Sequence, residues 1–157
     1  MSCLYLISVL WQLVYAVNNQ RGQISLRPVI GRMIIKSAKD LRAYKLAYEL
    51  ATEIYKISKQ WPVEERYSLT DQIRRASRSV CSNLREAWAK RRYEAHFVSK
   101  LTDADGENNE TDTWLNFALD CGYISKEDHK RLSSQCAGIG RMLGAMLKNP
   151  ESFLPKS

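Results

Sequence analysis

The sequence predicts an all-α protein whose core is an antiparallel, up-down-up-down four-helix bundle, and three observations predict it. Four stretches between residues 40 and 150 repeat apolar residues at steps of three and four, the period at which a helix turns one face to a core. The 157 residues include only seven Gly and four Pro, too few turn-formers for a fold of many short strands. The joints between the stretches are short, and short connections make neighbouring helices antiparallel. The length suits one domain with a real core, and 45% hydrophobic beside 26% charged residues is ordinary for a soluble globular chain.

Residues 1–33 do not follow the bundle pattern. Cys3 to Val17 is almost wholly apolar, but its fifteen residues fall short of the roughly 20 that a membrane-spanning helix needs. No positive residue precedes the run and no A-x-A-like site follows it, so it makes a poor signal peptide. A polar stretch with Gly22, Pro28 and Gly31 comes next, and a new pattern begins at Met33. The preferred reading takes Met33 as the natural start and the upstream residues as a misassigned one. A membrane-associated segment, or a strand or helix docked on the bundle, are the alternatives. The bundle itself is expected over residues 34–154.

Asp40 is the expected N-cap of a first helix from Leu41 to about Lys59. Leu41, Tyr44, Tyr48, Ala51 and Tyr55 form one stripe, and Ala47, Leu50, Ile54 and Ile57 a second beside it, together a wide apolar face. Trp61-Pro62 ends the helix, because proline drives the residue before it out of the helical region. A second helix starts at about Glu64 or Ser68 and runs to about Arg91, with Leu69, Ile73, Ala76, Val80, Leu84 and Ala87 as its seam. A third covers about Glu94 to Cys121 along Phe97, Leu101, Ala104, Asn108, Thr111, Leu115 and Ala118, with Gly122 suited to a left-handed residue at its end. Ser125 caps a fourth, with Asp128 in a capping-box-like position, and His129, Leu132, Cys136, Ile139, Leu143 and Met146 as its seam. Gly140 and Gly144 would permit a close helix approach. No Gly or Pro separates the second helix from the third. One continuous helix of about 55 residues would nevertheless be about 80 Å long, too long for so small a domain, so a tight turn is expected near Ala89–Tyr93.

The formal net charge is +7, which points either to polyanionic partners such as nucleic acid or simply to solubility. The charge is segregated. Residues 67–93 carry seven Lys/Arg against two acids, and residues 94–121 one Lys against seven acids, a contrast that favours pairing of the second and third helices. At about 100° per residue, Arg74, Arg78, Arg85 and Arg92 fall within about 40° of one another, away from the seam. With Arg91 they are the candidate nucleic-acid-binding residues, because guanidinium groups neutralise phosphates and displace counterions. The same stripe also reads as a solvated face or as the salt-bridge partner of the third helix. On the third helix, Glu107, Glu110, Trp114 and Phe117 lie on a line beside the core seam. Aromatic anchors next to charges are the composition of a subunit contact, and the alternative is that Trp114 and Phe117 widen the core.

Little in the chain points to catalysis. It has no phosphate-binding Gly-rich loop, no G-x-S-x-G, no H-E-x-x-H and no Glu-x-x-His pairs, so no catalytic residue, metal, cofactor or small-molecule substrate is expected. Arg91-x4-His96 matches a loose spacing found in some helical-bundle ribonucleases, and a third reading of the chain as a ribonuclease rests on it alone. Cys3, Cys81, Cys121 and Cys136 are scattered, without a metal or redox spacing, which suits a reducing, cytoplasmic setting without membrane attachment.

Gln72-Ile73-Arg74-Arg75-Ala76, Ser82-Asn83-Leu84-Arg85-Glu86-Ala87, Lys90-Arg91-Arg92-Tyr93-Glu94-Ala95-His96-Phe97 and the run from Trp114 to Ile124 form a linked set of motifs. Across about residues 36 to 154 the chain resembles the bacterial four-helix-bundle proteins encoded in intervening sequences of 23S ribosomal RNA genes. It is also similar to the accessory variability determinant of diversity-generating retroelements, a basic pentamer that works with a reverse transcriptase and RNA. The resemblance implies a ring-like homopentamer, structured RNA as a partner and no established catalytic activity. Cys81 stands where many members carry Pro, so the kink expected in the second helix is weaker here.

Overall fold

The computed structural model describes residues 35–155, so the readings made for residues 1–33 lie outside the described residues. Within them the chain forms four α-helices: α1 (Arg42–Ile57), α2 (Leu69–Lys90), α3 (Glu94–Asp120) and α4 (Lys126–Lys148). Short 3-10 turns flank them at Ala38–Asp40, Ser58–Gln60, Val63–Glu65 and Pro150–Ser152, and no strand occurs among the described residues.

Pairs of side chains across the helices define the topology. Arg74 Nε donates to Ser58 Oγ at 2.8 Å, and one turn further along α2 Arg78 lies over the ring of Tyr55, so α1 and α2 run in opposite directions. Asn116 meets His129 while Asn108 meets Cys136, which sets α3 against α4 in the same sense. Glu53 bonds Arg131 and Gln135, and Leu46 lies against Gly138, closing α4 onto α1. The expected tight turn between α2 and α3 occupies Arg91–Tyr93, where Tyr93 N–H bonds the carbonyl of Lys90 at 3.0 Å.

The seams read from the sequence for α2, α3 and α4 form the core, except that His129 at the start of the α4 seam is half-buried and bonds Asn116. Ile73, Leu84, Phe97, Leu101, Leu115, Leu132, Ile139 and Leu143 have no exposed surface at all. Asn108 and Thr111 are buried in the same seam, and each finds a carbonyl: Asn108 Nδ2 donates to Cys136 O at 3.1 Å, and Thr111 Oγ1 to Glu107 O at 2.8 Å. One end of the bundle is tied by Trp61 against Tyr123, with ring centroids 5.9 Å apart, and by Tyr123 Oη donating to Glu65 Oε1 at 3.1 Å. Elsewhere in the bundle Phe153 stacks on Phe97 at 6.0 Å.

Several local expectations hold. Gly122 has φ of +74°, the left-handed geometry that ends α3. Ser125 Oγ accepts from the Asp128 N–H at 3.0 Å and caps α4. Trp61 is extended (φ −72°, ψ 155°) ahead of Pro62. Helix α2 runs unbroken past Cys81.

Three expectations are corrected. Asp40 does not cap α1. Its Oδ2 instead accepts from the N–H groups of Ser37 (2.8 Å) and Lys36 (2.9 Å), and these donors hold its carboxyl below the usual range. The residue preceding α1 is the extended and buried Leu41, which anchors the entry by burial and makes no side-chain cap. The tyrosine stripe of α1 is core only in part: Leu41 and Ala51 are buried and Tyr44 packs half-buried on the core, but Tyr48 is 60% exposed and Tyr55 39%, and the buried face of the helix is Ala43, Ala47, Leu50, Ala51 and Ile54. Close approach at Gly140 and Gly144 is not what the glycines provide. A Cβ on Gly140 would sit at an ordinary 3.5 Å from Asn108 and one on Gly144 in open space, whereas the tight position is Gly138, 3.3 Å from Leu46.

Leu115 is enclosed on all sides, so Leu115→Ala should cost about 2–5 kcal/mol through lost burial and a residual cavity. Urea unfolding followed by circular dichroism measures the loss.

Candidate functional site

Helix α2 divides its charges between two faces. Arg74 and Arg78 lean toward α1, where their guanidinium carbons lie 5.1 Å and 5.5 Å from the centre of the Tyr55 ring, and Lys59 Nζ is 4.8 Å from the same centre. Arg85 is exposed further along α2. Among the described residues none of Arg74, Arg78, Arg85 and Arg92 forms an ion pair with a carboxylate.

The salt-bridge reading of the stripe is therefore corrected. The ion pair that joins α2 to α3 has the reverse polarity, with Lys100 of α3 bridging Glu86 of α2 (3.3 Å) and its own neighbour Asp103 (3.0 Å). Those two carboxylates raise the Lys100 pKa. Arg92 also leaves the stripe. Helix α2 stops at Lys90, so Arg92 sits exposed in the turn rather than at its helical angle. Arg91 folds back over Trp88, 4.1 Å from the ring, and its Nη1 donates to the Trp88 carbonyl at 2.6 Å. His96 lies against Tyr93 at 5.7 Å, so Arg91 and His96 have separate partners.

The exposed Tyr48 and Tyr55, with the half-buried Tyr44, line a groove between α1 and α2. Tyr44, Tyr48, Ala51, Thr52, Tyr55, Arg78 and Cys81 enclose about 360 Å³, and no carboxylate is among them. Tyr44 and Tyr48 stack, with centroids 6.2 Å apart and planes at 19°. Glu53 is turned away toward α4 by Arg131 and Gln135. Burial pushes the Cys81 thiol up to about 11, which leaves it neutral and unreactive at ordinary pH. Sequence reasoning assigned these tyrosines to the core. The signal available was the hydroxyl: three phenols in one stripe need three polar outlets, which a dry core does not supply.

The second surface is on α3. Glu107 is half-buried, Glu110 is exposed, Trp114 is half-buried and Phe117 is 50% exposed. Trp114 Nε1 donates to Glu110 Oε1 at 2.9 Å, and the Trp114 and Phe117 rings lie 5.8 Å apart. Trp114 packs partly on the core, so the core-widening reading holds in part for Trp114 and fails for Phe117. Partial burial raises the Glu107 pKa, helped by Glu110 and Asp103 and opposed by Arg75.

Two further features bound the chemistry of the described residues. No helix there is long and apolar enough to cross a membrane, and no cluster of three His, Cys, Asp or Glu is arranged to hold a metal ion.

The molecule is thus an all-α bundle whose distinctive groups lie on two aromatic surfaces, one basic and one acidic. The chain belongs to the 23S rRNA-intervening sequence protein family, whose model matches residues 39–145. It is also similar to a solved structure from Bacteroides thetaiotaomicron, a protein of unknown function from the S23 ribosomal protein family. The two are 28% identical with a TM-score of 0.62, over 68% of this chain and 95% of the other. No curated protein matches the sequence.

Glu107 supplies a pH test. A carboxyl whose pKa is raised on folding is tolerated best when protonated, so its ionisation lowers stability as pH climbs from the ordinary carboxylate value of 4.5 through the raised one. Glu107→Gln should raise the melting temperature at pH 7 and leave it unchanged below about pH 4, read by thermal melts across that range.

Proposed function

We propose that this protein is a non-enzymatic, homo-oligomeric scaffold that binds structured RNA through the arginine face of α2. The observation that carries the reading is that Arg74, Arg78 and Arg85 share one face of α2 with no carboxylate paired to them among the described residues. Guanidinium groups without a carboxylate partner can pair with phosphates and gain counterion release on binding. Arg92 in the adjoining turn extends the positive field, while Arg91 stiffens the turn by clasping Trp88. The net charge of +7 supports long-range attraction of a polyanion. The family name places its members with 23S rRNA intervening sequences, and an RNA partner fits that setting.

The acidic, aromatic line of Glu107, Glu110, Trp114 and Phe117 serves as a subunit contact in this reading. Phe117 rests on Trp114 with half of its surface exposed among the described residues, the form of an anchor open to a neighbouring subunit. The family resemblance adds a cyclic pentamer, in which the arginine face would repeat once per subunit. The setting would be cytoplasmic.

Two measurements test the proposal. Arg85 is exposed and has no bonded partner among the described residues, so Arg85→Glu should leave the melting temperature unchanged and weaken binding to an RNA hairpin at least tenfold. Wild-type affinity should fall log-linearly with salt, with a slope of about 0.9 per phosphate neutralised on the B-DNA scale. A variant that binds the hairpin as well as the wild type ends the RNA assignment for this face and leaves a protein-interaction oligomer. Phe117→Ala should shift the sedimenting species to smaller mass while the helical content stays constant. An unchanged sedimentation profile removes α3 from the contact.

A further inference from the structure

We infer that the tyrosine groove between α1 and α2 is a stacking site for unpaired nucleotides, so that the protein prefers single-stranded segments of its RNA to continuous duplex. This rests on the RNA reading above and adds the state of the nucleic acid and the residue that senses it. The groove combines the two elements that single-strand binding requires, an exposed aromatic surface and cations along a track.

Tyr48 supplies the surface. It is 60% exposed, on an α-helix that gives it a fixed backbone, and Tyr44 stacks on it at 6.2 Å and holds its ring in place. A base that settles on Tyr48 therefore meets a platform already ordered, with little entropy left to lose on binding. Tyr55 plays a different part. Lys59, Arg74 and Arg78 all lie within 5.5 Å of its ring centre, so the ring serves as a post that gathers three cations rather than as a second platform.

The cations lead onward from the platform. Arg78 lines the groove with Tyr48, while Arg74, Lys59 and Arg66 line a second hollow with Trp61. The two hollows meet at the Tyr55 ring, around which Lys59, Arg74 and Arg78 gather, so the cations continue from the base platform. The lining of the groove contains no acid that would repel a phosphate, and the half-buried Cys81 thiol stays neutral there. Duplex RNA keeps its base faces stacked inside the helix and offers Tyr48 only its backbone. Unpaired nucleotides offer both.

The test compares fluorescein-labelled oligouridine, a blunt RNA duplex of equal length and the Tyr48→Ala and Tyr48→Phe variants, with sedimentation of each variant alongside. Oligouridine should bind more tightly than the duplex. Tyr48→Ala should weaken oligouridine binding roughly 5- to 150-fold, the range for loss of one aromatic–base stack, and leave duplex binding unchanged. Tyr48→Phe should retain wild-type affinity, because stacking uses the ring and not the hydroxyl. The salt slope should be the same in Tyr48→Ala as in the wild type, since no phosphate contact is removed. Equal binding of oligouridine by Tyr48→Ala and wild type, or preference for the duplex, overturns the inference and leaves the RNA reading standing. Failure of every RNA to bind overturns both. Dissociation of the oligomer by Tyr48→Ala would assign the groove to a second copy of the chain, and the inference falls.

Discussion

The register of α3 against α4 turns on one buried polar side chain, Asn108, and on the carbonyl that its Nδ2 reaches. Asn108 lies midway along the buried line of α3, among residues with almost no contact with water. A buried amide is costly unless its polar atoms are bonded, and Nδ2 of Asn108 reaches the carbonyl of Cys136 on α4, while its Oδ1 has no partner among the described residues. Sliding α3 by one helical turn would keep apolar groups against apolar groups but would strand the amide. The bond therefore selects one register.

Register has consequences at the surface. With one line of each helix committed to the core, the remaining residues fall on faces that the packing decides. Helix α2 is wedged between α1 and α3, so residues separated by one position part company. Arg74 and Arg78 go to the α1 side, and Arg75 acts on Glu107 of α3. The basic aromatic groove and the acidic aromatic line are thus products of one constraint. Their charges do not neutralise each other within the chain because α2 stands between them, and each is left facing outward.

The pairing of α2 with α3 illustrates the difference between net charge and contact. A basic helix beside an acidic one suggests a ladder of arginine–carboxylate bonds. The bridge that forms is Lys100 to Glu86, the minority charges of each helix. The arginines miss the acids because both helices were placed by their apolar lines and by a three-residue turn, which together leave little freedom for surface charges to choose partners. An exposed ion pair contributes at most about 1 kcal/mol, far less than burial of a single leucine, so packing wins.

How much of this was legible beforehand follows from which forces are local. The seams of α2, α3 and α4 could be read directly, because a 3.6-residue period and a dry core leave the same mark on any sequence. So could the left-handed Gly122, the Ser125 cap and the stop at Pro62, each a matter of one or two dihedral angles. Asp40 was misread because the same carboxylate can serve the turn before it as well as the helix after it, and only the path of Ser37 and Lys36 decides between them. The tyrosines of α1 were misread because a phenol counts as apolar in a periodicity and as polar at a surface. The sequence by itself determined four helices, their order and most of the residues at their centre, since these follow from spacing along one chain. Which way the arginines face, that Tyr48 looks outward, and that Asn108 finds Cys136 were decided only by tertiary structure, because each depends on where a neighbouring helix stands.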